Sequence, residues 1–140
     1  MLRHVNFIVN NMAKYPTKKE ILYEEQRFKP ETIKTMKEWK KDWLINHDDK
    51  SVYRLLTMLS QIYDKPLCIT NVNTNSYYNP ATRTINLHNT SIITALHEFA
   101  HHLYGPSEYK ACKWSVWLFK KTFKTAYSKL TWSGHTLINK

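Results

Sequence analysis

The stretch His97-Glu98-Phe99-Ala100-His101 sets two imidazoles four residues apart, with a carboxylate beside the first. On a helix, residues four apart stand one turn apart on the same face, so both rings can ligate one metal ion. The glutamate after the first histidine then lies beside that ion, where it can take a proton from a water that the metal polarises. H-E-x-x-H on a helix is therefore a pattern for zinc-assisted hydrolysis, with one Zn²⁺ per chain, His97 and His101 as ligands and Glu98 as general base. A catalytic zinc takes a third protein ligand and keeps a fourth position open. Glu108 is the first candidate, with His88, His102 and His135 as alternatives. From Lys65 to Lys140, Glu98 and Glu108 are the only acidic residues. A segment otherwise without acids thus keeps two, each with a place in one metal site.

A single histidine is usually a satisfied core or surface residue, so the elements that carry this pair decide its meaning. The segment "SIITALHEFAHHLY" is predicted to be a helix capped by Ser91 or Thr90 and ended by Gly105 in a left-handed conformation. Ile92, Leu96, Phe99 and Leu103 make its apolar stripe at about 100° per residue, and His97 and His101 fall nearly opposite. Gly105-Pro106 breaks the chain, and "PSEYKACKWSVWLFKKTFKTAYSKL" is predicted to form one long helix. Glu108 falls in its first turn, where the helix dipole also favours a carboxylate. Ala111, Cys112 and Ser115 share the Glu108 face and are small enough for close approach to the histidine helix; Trp114, Trp117, Leu118 and Phe123 are expected to pack elsewhere.

Upstream, "LRHVNFIV" suggests a short strand or entry segment, and "TKKEILYEEQRF" a helix. "PETIKTMKEWKKDWLINH" reads as a second helix, started by Pro30 and striped by Ile33, Met36, Trp39, Trp43 and Leu44. "SVYRLLTMLSQIYDKP" reads as a third, with Val52, Leu55, Leu56, Leu59, Ile62 and Tyr63 at helical spacing and Pro66 beyond its end. "LCITNV" is β-like, and "SYYNPATRTINLHN" is a hairpin turning at Asn79-Pro80. The tail "TWSGHTLINK" has no clear state.

A length of 140 residues, with 42% hydrophobic and 14% aromatic content, suits one domain with a modest core of large rings and argues against disorder. The net charge is +10, and residues 109–140 hold seven lysines and no acid. Such a surface attracts nucleic acid, anionic lipid or acidic proteins, yet lysine rather than arginine gives little base reading. Cys68 and Cys112 are too few and too far apart for a disulfide framework or a zinc knuckle, and both are expected to be buried free thiols. No signal-peptide-like or membrane-length apolar run occurs, so an intracellular, cytoplasmic protein with no membrane partner is expected.

"TINLHNTSIITALHEFAHHLYGPSEYKACKWSVWLF" resembles the catalytic core of small intracellular gluzincins, which include the SprT-like and ImmA/IrrE-like metallopeptidase groups. Their shared pattern is a strand, an H-E-x-x-H helix, and a helix bearing a glutamate followed by small residues. The resemblance covers about residues 67–120 and rests on His97, Glu98, His101 and Glu108. SprT-like proteins typically supply a histidine as third ligand, so Glu108 favours the ImmA/IrrE-like side. The resemblance implies a minimal zincin-like α+β domain, with helices packed on a small sheet. It also implies that the strand around Thr84–Leu87 forms the edge flanking the cleft. Oxyanion help would come from among Tyr78, Tyr104, Tyr109 and His135.

The expected organisation is one domain over residues 1–140. It has a helical part to residue 66, the sheet and metal-site helices at 67–130, and a tail at 131–140. The expected function is a zinc peptidase acting on an intracellular protein or peptide. The alternative is a basic nucleic-acid-associated protein, binding nonspecifically through its C-terminal half, with zinc structural or idle. Against the alternative stands the absence of any nucleic-acid reading motif.

Overall fold

A computed structural model describes residues 15–139, so the expected N-terminal strand lies outside the described residues. Thr17 opens α1 (Lys18–Leu22) with a capping box: its side chain accepts from the Glu20 amide, and the Glu20 side chain accepts from the Thr17 amide. The helix expected to run on towards Phe28 stops after Leu22. The Trp117 indole donates to the Ile21 carbonyl at 2.9 Å, the group that a continuing helix would offer to Glu25. The chain then straightens and lays Phe28 edge-on against Trp114 at 5.8 Å.

α2 (Pro30–Trp43) begins at its proline and buries Met36 and Trp39. Ile33 and Trp43 pack at the margin of the core, whereas Leu44 falls outside the helix and is 60% exposed. α3 (Asp49–Ile62) is capped by Asp48, which accepts from the Ser51 amide, and it buries Val52, Leu55, Leu56 and Leu59. The Trp39 indole donates to the Ser51 carbonyl at 2.8 Å, tying the two helices together.

The sheet comprises β1 (Cys68–Asn71), β2 (Tyr77–Asn79) and β3 (Thr84–Leu87), in the order β1-β3-β2. β3 runs parallel to β1, with Ile69 opposite Ile85, and antiparallel to β2, with Tyr78 opposite Ile85. The strand at Thr84–Leu87 is therefore central, not the edge strand expected. Its Ile85, Asn86 and Leu87 are all buried, as suits a strand with neighbours on both sides. The edge strand is β2. Cys68 is exposed, contrary to expectation, because β1 is the opposite edge; Cys112 is buried as expected.

α4 (Ile92–Tyr104) is capped by the Ser91 hydroxyl, which accepts from the Thr94 amide. It ends at Gly105 with φ +86 and ψ −156, a mirror-extended backbone rather than the left-handed helical one expected, and one that glycine adopts readily. Ser107 caps α5 (Glu108–Thr122). The long helix expected here breaks at Phe123, and α6 (Lys124–Ser128) follows. A tertiary hydrogen bond sits at this break, as at the end of α1. Lys40 Nζ donates to the Thr122 carbonyl at 2.8 Å, the group that Ala126 would otherwise use. The tail forms a hairpin, β4 (Leu130–Ser133) with β5 (Thr136–Asn139), turning at Gly134-His135.

The apolar stripe of α4 meets α5 through Phe99 and Trp114, whose rings lie 5.7 Å apart. Trp114 was expected to pack away from this helix. At about 100° per residue it stands only about 60° from Ala111, so it flanks the small-residue face and closes the contact. The described residues form a mixed α and β fold in which no helix is long and apolar enough to cross a membrane.

Phe99 is fully buried behind the histidines. Phe99→Ala is expected to lower the unfolding free energy by about 3–5 kcal/mol. Leu44→Ala should change it by less than about 0.5 kcal/mol. Urea denaturation of the two variants checks both.

Candidate metal centre

α4 and α5 meet at the Gly105-Pro106-Ser107 elbow, and the first residue of α5 turns back towards the histidine face. Glu108 Oε2 lies 3.0 Å from His97 Nε2, and Glu108 Oε1 lies 3.0 Å from His101 Nε2. One carboxylate thus spans both rings, which stand 4.9 Å apart and nearly perpendicular. His101 Nδ1 donates to the Gly105 carbonyl at 2.8 Å. That bond fixes the ring and leaves Nε2 as the atom presented to the cleft. His97 turns its other nitrogen, Nδ1, towards Cys112 Sγ at 3.8 Å. His97, Glu108 and Cys112 each bring a ligand atom within 4.8 Å of the others, a group that could hold a metal ion.

These residues open into a cleft of about 480 Å³, walled by Tyr77 and Tyr78 of the edge strand on one side and by Gly105 and Pro106 on the other. Glu98 lies in its floor, 8% exposed. Burial pushes the Glu98 carboxyl above its ordinary value, with Glu108 adding to the rise, while His97, His101 and a Tyr78 backbone hydrogen bond pull the other way. Burial alone would also raise Glu108. Hydrogen bonds and charge from His101 and His97 override it and hold that carboxyl at about 2. Burial opposes protonation of His101, but its bonds to Glu108 and Gly105 raise it above the ordinary imidazole value. Burial, reinforced by the charges of Glu108 and Glu98, pushes Cys112 up to about 12, so it is a thiol at neutral pH. Two carboxylates in one cleft are thus pushed in opposite directions.

All four residues proposed from the sequence, His97, Glu98, His101 and Glu108, line this cleft, but the compact group of ligand atoms among the described residues takes Cys112 with His97 and Glu108 and leaves out His101. The alternative ligands do not join them. His102 is held between the Tyr78 hydroxyl at 2.7 Å and the Lys65 carbonyl at 2.8 Å. His88 lies against the Val72 carbonyl. His135 stacks on Tyr15 at 4.0 Å, beside a second cavity on the far side of His97. Of the candidate oxyanion donors, Tyr78 lines the cleft, whereas Tyr104 and Tyr109 do not. Tyr15 was missed. It lines both cavities, and its phenol is raised first by the charge of Glu108 and then by burial. Nothing local marks it. The Thr17 cap and the docking of α1 on Trp117 carry it there. Comparison with protein-family models, curated proteins and solved structures finds no match for the chain.

The shifts of His101 and Glu108 give the protein a defined pH response. His101 is raised, so its contribution to stability is complete below the unfolded imidazole value of about 6.5 and is lost as pH rises through its higher folded value. Glu108 is lowered to about 2, so its contribution is complete above the ordinary carboxylate range and is lost as pH falls towards that value. Chelator-treated protein should therefore melt at a higher temperature near about pH 6 than near about pH 8.5. His101→Gln should flatten that slope. Thermal denaturation in the presence of chelator at the two pH values is the check.

Proposed function

We propose that the chain is a zinc-dependent peptidase acting on an intracellular protein, with His97, His101 and Glu108 as metal ligands and Glu98 as general base. The observation that carries this reading is the Glu108 carboxylate, with one oxygen 3.0 Å from His97 Nε2 and the other 3.0 Å from His101 Nε2, and buried Glu98 in the same cleft. Ligand atoms held tetrahedrally about 2.0–2.1 Å from one zinc lie about 3.3 Å apart, close to the two nitrogen–oxygen separations of 3.0 Å. Two neutral imidazoles and a carboxylate are also the donor set of an open catalytic zinc site. Cys112 is the weaker ligand: its thiol holds its proton, and its sulfur faces the Nδ1 edge of His97 rather than the Nε2 edge.

Zinc bound there would polarise the scissile carbonyl and make water in the open position more acidic. The remaining work falls to the chain. Glu98 accepts the proton from the attacking water and passes it to the leaving amine; its raised carboxyl is suited to both. The Gly105 carbonyl holds His101 in the tautomer that presents Nε2. The edge strand β2 offers main-chain groups to an extended peptide along the cleft wall, which selects for unfolded or loop segments. Tyr15 donates to the oxygen on which charge develops, since the Tyr78 hydroxyl is engaged with His102.

The test is a mixture of denatured-protein peptides incubated with zinc-loaded wild type and with Glu98→Gln, with new amino termini read by mass spectrometry. Glu98→Gln should retain zinc and fold while cleaving about 10²–10⁴-fold more slowly. Equal cleavage by the two proteins, or none by fully zinc-loaded wild type, would contradict the assignment. Tyr15→Phe should lower kcat by roughly 10²-fold at unchanged zinc content. An unchanged kcat would remove Tyr15 from the reaction.

A further inference from the structure

The far end of α5 carries a second feature that the peptidase reading does not use. Thr122 stands fourteen residues from Glu108, about 21 Å along the helix at 1.5 Å per residue. There a groove of about 540 Å³ runs between α2 and the α5–α6 junction. Lys37, Lys40 and Lys41 line it from one face of α2, and Lys121 and Lys124 from the junction, with no acidic side chain among the lining residues. Lys121 reaches Glu25 at 2.5 Å, and Lys40 donates to the Thr122 carbonyl. Lys37, Lys41 and Lys124 form no ion pair among the described residues. Like charges gathered on converging helices repel, and Lys37, Lys41 and Lys124 have no carboxylate in an ion pair to offset it. The groove also holds Thr122, 5% exposed, whose Oγ1 is the one buried side-chain polar atom without a hydrogen-bond partner among the described residues. Desolvated hydroxyls without partners are rare in folded proteins.

We propose that this groove binds the phosphodiester backbone of a nucleic-acid duplex. Lysine ammonium groups act as point charges that suit phosphate oxygens, and the lining has no arginine fork to read base edges. No aromatic ring lines it, so unpaired bases have nothing to stack on, which favours a duplex over a single strand. The exposed hydroxyl of Thr125 supplies a neutral donor between the cations. An acidic peptide is the poorer fit, since Leu44 is the only large apolar side chain offered as an anchor. The site is separate from the histidine cleft, and its occupancy does not depend on hydrolysis.

The test uses the full chain and a labelled random-sequence duplex, DNA and RNA in separate arms, followed by fluorescence anisotropy. With three to five phosphates neutralised, affinity should fall about 40- to 500-fold between 50 and 200 mM salt. The triple variant Lys37→Gln, Lys41→Gln, Lys124→Gln should bind at least about tenfold more weakly at the lower salt, with a salt slope reduced by about 2–3. Lys18→Gln, Lys19→Gln, Lys50→Gln, an equal charge change on exposed lysines outside the groove, should lose less than about threefold. Thr125→Val should weaken binding several-fold without lowering the melting temperature. A melting temperature that falls with affinity unchanged would make that hydroxyl structural and exclude it from the site. No binding at low salt, binding indifferent to salt, or equal losses in the two triple variants would overturn the proposal. So would stronger displacement by polyglutamate than by unlabelled duplex, which would identify an acidic protein as the partner.

Discussion

The Glu108 carboxylate joins two helices, and the chemistry of the molecule depends on where it sits. It can reach both imidazoles only because Gly105, Pro106 and Ser107 turn the chain through a tight elbow. It stays there because Phe99 and Trp114 clamp the same two helices from behind. A half-buried cluster of two imidazoles and two carboxylates would be costly if left unpaired. Without metal, protons bridge the cluster, which is why Glu108 is held low and His101 high. A divalent cation would take the place of those protons with the same donor atoms. The fold supports this proton-bridged cluster from both sides.

Two tertiary hydrogen bonds shape the rest of the molecule in the same manner. The Trp117 indole takes the Ile21 carbonyl, and Lys40 takes the Thr122 carbonyl. Each binds the carbonyl at a point where a helix ends and ties that end to a distant element. The first break keeps α1 short and holds Tyr15 over the cleft. The second turns the chain at Phe123 and opens the lysine-lined groove. The two ends of α5 therefore carry different chemistry, acid and imidazole at one end and ammonium at the other.

How far the sequence was legible follows from the range of the interactions involved. The histidine helix, its Ser91 cap, its Gly105 end and Glu108 in the next first turn all depend on residues within a few positions, and each was readable. The ends of α1 and α5 depend on partners 96 and 82 residues away, and no local propensity signals them. The central place of β3 required knowing that β1 pairs with it in parallel, a contact that the apolar pattern of either strand does not specify. Tyr15 is in the cleft by the same long-range route. The terminal hairpin is a different case. Gly134 at a two-residue turn, flanked by alternating Leu130, Trp132 and Leu137, was a local signal that went unused.

The proposed zinc site takes His97, His101 and Glu108, without Cys112, and keeps one position open. Zinc K-edge X-ray absorption on the zinc-loaded chain reports those ligands directly. The expected spectrum has only nitrogen and oxygen neighbours at about 2.0–2.1 Å, including two imidazoles, from one zinc per chain. A sulfur neighbour at about 2.3 Å, or a chain that binds no zinc, would contradict it.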